Sequence, residues 1–232
     1  MSAANVFPSR LLSLTVALMP ILLFSVEAFA RAGGGRNEKC GLLCIILYPF
    51  ILIYGVYVSY RINKKKKQIS AALEEMARIE PQWSEANLLK ISKEKFLLLQ
   101  AAWGQQDLGL IKTHLHQSLY PLWETQIKDQ QSRGEKNIMA GLSIKSLRIV
   151  DVQNYRDDER DEFTVAFDAS ADDQTIRGGN VISSNQSSFR EFWTFEWEKS
   201  EWTLKEVTQA KGWKRFVNSA IIFENKSSRK AG

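Results

Sequence analysis

Chemistry in a chain of this kind would have to come from its few histidines, cysteines and strand carboxylates. Only two histidines are present, His114 and His116. On a helix, positions two apart point roughly 200° away from each other, so the pair cannot jointly hold a metal ion. Cys40 and Cys44 sit at i and i+4 on one helical face of an apolar segment with no histidine nearby. They read as membrane-helix residues and not as a disulfide or a metal pair. Asp168 and Glu191 are the carboxylates that could face a cavity from a strand, but each alternates with polar neighbours, which places them on a solvated or partner-binding face. Gly33-Gly34-Gly35 follows no strand, so it is a spacer and not a phosphate loop. The soluble part has no cysteine and no nucleophile elbow. The expected protein is therefore not an enzyme, and it needs no metal and no cofactor.

The aromatic residues are the remaining signal. Trp193, Phe195 and Trp197 share one face of a strand and Phe192 takes the other. Most of this is core, but one face is a candidate wall for a groove that takes an apolar ligand, a peptide or acyl chains. The candidate lining is Phe192, Trp193, Phe195 and Trp197, with Trp103 and Phe167 from neighbouring elements.

These residues need elements to position them. Arg10 precedes the uncharged run 11–26, and Ala28-Phe29-Ala30 places small residues where a signal peptidase inspects them, so residues 1–30 read as a signal peptide or an uncleaved first membrane segment. A short spacer, 31–39, leads to 21 residues without a charge, Cys40 to Tyr60. At 1.5 Å per residue these span the ~30 Å hydrocarbon core, and this is the expected transmembrane helix. Arg61 and Lys64, Lys65, Lys66 and Lys67 follow it, against Arg31, Arg36 and Lys39 on the other flank. That excess points the following domain to the cytoplasmic side, and the same residues are candidates for contact with anionic lipid headgroups.

Charge separates the two parts of the chain. Residues 1–70 hold nine Lys/Arg against two Glu, a net of +7, so the remaining 22 basic and 24 acidic residues sum to −2 and the total is +5. The domain lacks the basic surplus of a nucleic-acid binder, and no nucleic-acid partner is expected.

Ile69, Leu73, Met76 and Ala77 recur at helical spacing in a basic juxtamembrane stalk, 61–79, that ends before Pro81. Ser84 is the expected N-cap of a helix that carries Leu88, Ile91, Phe96, Leu99 and Trp103 and stops at Gly104. Two more helices cover about 108–115 and 117–133, with Pro121 in the first turn of the second. The period then changes to two. Strands are expected over 142–152 with a bulge near Ile144, over 163–171, over 189–197 and over 202–209, with a polar, mobile loop over 172–188. Helices followed by an antiparallel meander give an α+β fold for residues 80–210. Trp213, Phe216, Val217, Ala220 and Ile221 form one helical stripe in the tail, 211–232, which must bury itself against the sheet or the membrane surface.

Several pieces fall in one order: Glu80-Pro81-x-Trp83-Ser84, Phe96-x-x-x-Gln100-Ala101-Ala102-Trp103, Asp107-Leu108, Arg133-Gly134, Asp172-Asp173, Phe192-Trp193-Thr194-Phe195 and Trp202-x-Leu204-x-x-Val207-x-Gln209. Together they resemble the carboxyl-terminal domain of the mitochondrial import inner membrane translocase subunit 44 family, including its membrane-anchored bacterial members. The resemblance implies helices packed on a curved antiparallel sheet, a cone similar to nuclear transport factor 2. It also implies a membrane-tethered, non-enzymatic binding module that recruits proteins or preproteins. Two features depart from the family: its long mitochondrial amino-terminal region is missing, and the aromatic strand's fourth position, basic in relatives, is Trp197. The expected partners are membrane lipids and a protein whose identity the sequence does not give. A lipid-binding protein with an apolar pocket and an isomerase-like enzyme are the alternatives.

Overall fold

A computed structural model describes residues 38–224, with side chains from Leu47 onward. The expected signal segment, most of the spacer and the last eight residues lie outside the described residues. The chain divides into two units, residues 1–56 and 57–232. The described part of the first is helical, and between Leu47 and Val56 it exposes Leu47, Phe50, Ile51, Ile53, Tyr54 and Val56. Among the described residues no helix is long and apolar enough to cross a membrane. The first seven residues of the expected span, 40–46, are not among those whose side chains are described.

The second unit is α+β. Helix α1 is Glu38–Ile79, α2 is Glu85–Gln105, α3 is Leu108–His114 and α4 is Tyr120–Ser132. Strands β1 (Glu135–Asn154), β2 (Glu162–Arg177), β3 (Asn180–Glu198) and β4 (Glu201–Gln209) follow, then α5 (Trp213–Asn218) and the two-residue β5 (Ile222–Phe223). The sheet order is β4-β3-β2-β1-β5, antiparallel except for β5, which runs parallel to β1 at Gln153 and Asn154. β1 slips register against β2 at three places, between Ala140 and Ser143, Ile144 and Ser146, and Ile149 and Asp151. Each slip is a bulge that adds local twist, which is how a 20-residue strand bends into a curved sheet. The expected bulge near Ile144 is one of the three.

Period two decides which residues the sheet buries. Phe163, Val165 and Phe167 of β2 and Trp193 and Phe195 of β3 enter one core with Leu88, Phe96 and Leu99 of α2. Phe96 stacks on Phe167 with ring centroids 4.3 Å apart and lies 4.8 Å from Trp193, and Phe163 stacks on Phe195 at 5.0 Å. On the opposite sheet face, Phe192 and Ala166 pack with Phe216 of α5, the Phe192 and Phe216 rings 4.7 Å apart. Of the tail's apolar stripe, Phe216 is buried and Trp213 half-buried against the domain's own sheet, but the helix has six residues and ends at Asn218, so Ala220 and Ile221 lie beyond it and Ala220 is exposed.

Four expectations change. The stalk is not free: Ile69, Leu73 and Met76 are buried in the main core, so that face of α1 lies against the domain. Helix α2 continues past Gly104 and is capped by Gln106 in the left-handed region at φ 58°. Gly104 serves a close approach instead, since a Cβ there would stand 3.1 Å from Ile138 Cγ2. The expected loop 172–188 is a hairpin, with β2 running to Arg177 and β3 starting at Asn180. Gly178 and Gly179, at φ +57° and +83°, form its two-residue turn, which requires positive φ at both positions.

The fourth change is Lys65, expected at a lipid headgroup. Its ammonium lies 3.2 Å from Asp151 Oδ1 and donates to the Ser219 carbonyl at 2.6 Å, with both ionic side chains about nine-tenths buried. A lysine held in that way cannot also face lipid. Lys64, Lys66 and Lys67 are exposed, and Arg61 donates to Tyr57 Oη and Asn218 Oδ1.

Trp193→Ala should destabilise the domain by ~3–5 kcal/mol, the cost of truncating a large buried aromatic, measured by urea unfolding. Lys65→Ala, which strands Asp151 in the interior, should also cost ~3–5 kcal/mol. In the same titration Lys65→Met with Asp151→Leu should recover most of that loss, since no charge is then left unpaired.

Candidate functional site

Helix α2 presents its buried stripe at Leu88, Ser92, Phe96 and Leu99, spaced by three and four residues. Lys95 falls on the same stripe and is also buried, at 8% exposure. A cation in that position needs a partner. Lys95 Nζ donates to Glu201 Oε1 at 2.7 Å, from the first residue of β4, and to His114 Nδ1 at 3.2 Å, from the last residue of α3. Three elements thus meet at one ammonium group.

This cluster closes one end of a solvent-open pocket of about 400 Å³. Ile91, Leu98, Trp197 and Trp202 supply apolar lining, and Gln82, Asn87 and Glu94 supply polar rim. Trp202 is packed edge-on against Trp83 at 5.1 Å and Trp197 at 4.9 Å. The indole N–H groups of Trp83 and Trp202 are buried with no hydrogen-bond acceptor among the described residues. The edge-on rings offer them only weak π acceptors.

The electrostatics of the cluster are internally balanced. The hydrogen bond from Lys95 holds the Glu201 carboxyl below its ordinary range, against a smaller opposing effect of burial. Burial, reinforced by the Lys95 charge, pushes His114 below 6.5, and Glu201 only partly offsets this. Because Lys95 donates to Nδ1, that nitrogen's lone pair is occupied and the ring proton lies on Nε2.

His116 goes elsewhere. Its Nε2 lies 3.1 Å from Glu196 Oε2, and Glu196 also accepts from Lys205. The two histidines do not share a site, but the helical premise fails, since the helix ends at His114 with Leu115 extended and His116 lies beyond it. Among the described residues no group of histidine, cysteine and carboxylate side chains could hold a metal ion.

The carboxylates singled out from the strands lie outside this pocket. Asp168 is bonded to Arg190 and Ser146, with Arg148 3.5 Å away. Burial would raise its pKa, but these partners outweigh it and hold the carboxyl low. Glu191 accepts from Trp193 Nε1 at 3.0 Å and from Gln209 at 2.9 Å.

Of the six aromatic candidates, Trp197 lines the pocket. Phe167, Trp193 and Phe195 are fully buried core, and Phe192 faces α5 on the other side of the sheet. Trp103 is half-buried, edge-on to Trp123 at 5.1 Å. Lys95 and Glu201 are lining residues the sequence did not single out, and His114 and Trp202, weighed there for a metal and for the family motif, line this pocket instead. The signal for Lys95 was present, because a lysine on the apolar stripe of an amphipathic helix must find a buried partner.

The chain belongs to the Tim44-like domain family, whose model matches residues 69–209. That match begins at Ile69, the first buried apolar residue of α1 among those described. Among solved structures, the intermembrane space region of the chloroplast protein ARC6 is similar, at 14% identity and a TM-score of 0.43. The similarity covers 54% of this chain and 95% of that one. No curated protein matches the chain.

Protonation should loosen the cluster. A histidine whose folded pKa lies below 6.5 takes up its proton more readily in the unfolded chain, so stability falls as pH drops through and below that value. Glu201, with a lowered pKa, adds stability above the ordinary carboxylate range that is lost at still lower pH. Urea midpoints between about pH 7.5 and about pH 5.5 should therefore decline, and His114→Gln should flatten that decline while leaving the loss at lower pH in place.

Proposed function

We propose that this Tim44-like chain is a membrane-tethered, non-catalytic binding module that receives an extended protein segment in the pocket between α2 and β4. The observation that carries the reading is the balance of charges there. The Glu201 carboxylate, through Oε1, and His114, through Nδ1, are both committed to Lys95, and the other carboxylate of the pocket, Glu94, is exposed on its rim with no apolar floor to raise it. A proton-abstracting enzyme of this fold class needs the reverse, a carboxylate raised by an apolar floor. The apolar wall of Ile91, Leu98 and Trp197 beside amide side chains suits a peptide, whose backbone needs polar contacts and whose side chains need apolar ones.

An acyl chain would need a deeper cavity. The space between helices and sheet is filled by the stacked rings of Phe96, Phe167, Trp193, Phe163 and Phe195, which favours the peptide reading over the lipid one.

The tether rests on the exposed apolar side chains of Leu47–Val56 together with the uncharged run Cys40–Tyr60. Arg61, Lys64, Lys66 and Lys67 beyond it support a cytoplasmic position for the domain and an attraction to anionic headgroups. Recruitment of proteins or preproteins at that membrane face is the role this combination fits.

Two measurements test the reading. The full chain should stay in the membrane pellet after alkaline carbonate extraction, and release into the supernatant would overturn the tether. Crosslinked membranes should yield a protein partner on purification of the full chain, and Trp197→Ala should reduce its recovery about tenfold, as loss of an aromatic anchor does. Recovery of no protein at all would overturn the binding role.

A further inference from the structure

The tail leaves the domain at a fixed place. Glu224 N–H donates to the Asn154 carbonyl at 3.0 Å, and Arg156 N–H donates to Glu224 Oε2 at 2.9 Å. Between these two anchors, Tyr155 N–H donates to Asp161 Oδ1 at 2.7 Å. The Asp161 carbonyl in turn accepts at 2.9 Å from the N–H of Trp197, which lines the pocket. The exit of the tail and the pocket therefore share one end of the sheet. Register gives their separation. Ile222, Gln153, Glu162, Glu196 and Thr203 form one row across all five strands. Glu224 and Glu201 each stand two residues beyond that row at the same end. Four strand spacings of ~4.8 Å put them ~19 Å apart, and less where the sheet curves.

Residues 225–232 carry three cations, Lys226, Arg229 and Lys230, and no acid. A chain advances at most about 3.3 Å per residue, so Arg229 comes within reach ~17 Å from Glu224 and Lys230 ~20 Å from it, before their side chains are added. That is the span to Glu201. The pocket holds the complementary charge. Glu94 is exposed on its rim with no partner among the described residues, and Glu201 is half-exposed and gives only Oε1 to Lys95. Lys95 is itself buried, so the charge that the pocket presents to solvent is carboxylate.

We propose that residues 225–232 lie along the pocket between α2 and β4, with Arg229 and Lys230 on Glu94 and Glu201, so that a partner segment enters only by displacing them. The displacement rests on the peptide reading of the pocket given above; the contact of tail with pocket does not. The occupant is this chain's own segment because exposed ion pairs are individually weak, and a separate peptide of the same charge would gain little from them. A tether this short supplies an effective concentration in the millimolar range, at which weak pairs hold.

A carbodiimide joins a lysine amine to a carboxylate only where the two are in contact, and it tests the contact on the full natural chain in vesicles. Peptide mass spectrometry should find Lys230 joined to Glu94 or Glu201, with a yield that falls roughly threefold in about 0.5 M salt. Links from Lys230 to Asp157, Asp158 or Glu159 alone would stop the tail short, at the turn between β1 and β2, and overturn the proposal. So would no link from Lys230, links only to other proteins in native membranes, or loss of the link in anionic vesicles with retention in neutral ones, which assigns these cations to headgroups. Arg229→Gln with Lys230→Gln tests the displacement: recovery of a crosslinked partner should rise roughly fivefold. Unchanged recovery, in membranes where Trp197→Ala still lowers it, overturns the displacement. A Trp197→Ala chain with full recovery and the Lys230 link intact overturns the peptide reading and leaves the tail contact supported.

Discussion

The contact on which most of this molecule depends is the seating of Phe96 against Phe167 and Trp193. It joins the long helix α2 to the two central strands, and rings of that size bury enough apolar surface to dominate the local energetics. A sheet bent by three bulges leaves a concave face that must be filled, and the buried aromatic side chains of β2 and β3 occupy it. Because these rings occupy the middle, the pocket beside the helices lies at one end, where α2, α3 and β4 meet around Lys95. The position of the pocket is thus a consequence of core packing.

Buried lysines do two different tasks here. Lys95 sits at the pocket and gathers a helix end, a helix middle and a strand start onto one charge. Lys65 fastens α1 to β1 and to the turn after α5. Each is paired with a carboxylate and a second acceptor, which is the condition under which an ammonium group tolerates burial. Such pairs add little net stability over an apolar replacement. Their geometry is demanding, however, so they fix how elements meet.

Much of this was legible in the residue pattern. Helical spacing at Leu88, Phe96 and Leu99 and alternation at Phe163, Val165 and Phe167 located the core-forming faces, and the order of helices before strands gave the α+β class. The hairpin through Gly178-Gly179 was hidden because both faces of its tip are solvated. With Ser, Asn and Gln on both sides no alternation of polarity appears, although the paired glycines were themselves a turn signal. Lys65 was misread for a related reason. Within a run of four lysines nothing local distinguishes the one that turns inward, and only the distant Asp151 and Ser219 make the distinction. The grouping at the pocket was hidden on similar grounds, since Lys95, His114 and Glu201 lie far apart in the chain. Their proximity exists only once the helices are laid on the sheet.

The clasp of Lys65 onto Ser219 also sets an order of events during synthesis. The two residues are 154 positions apart. At about 5–20 residues per second, a ribosome takes roughly 8–30 s to make the intervening chain. Through that interval the hydrophobic segment has already been translated, Asp151 follows Lys65 by 86 residues, and the Ser219 acceptors come last. The last-made part of the domain therefore completes the attachment of a helix made near the start, and a nascent chain arrested before Ser219 would have only Asp151 to hold the Lys65 ammonium group.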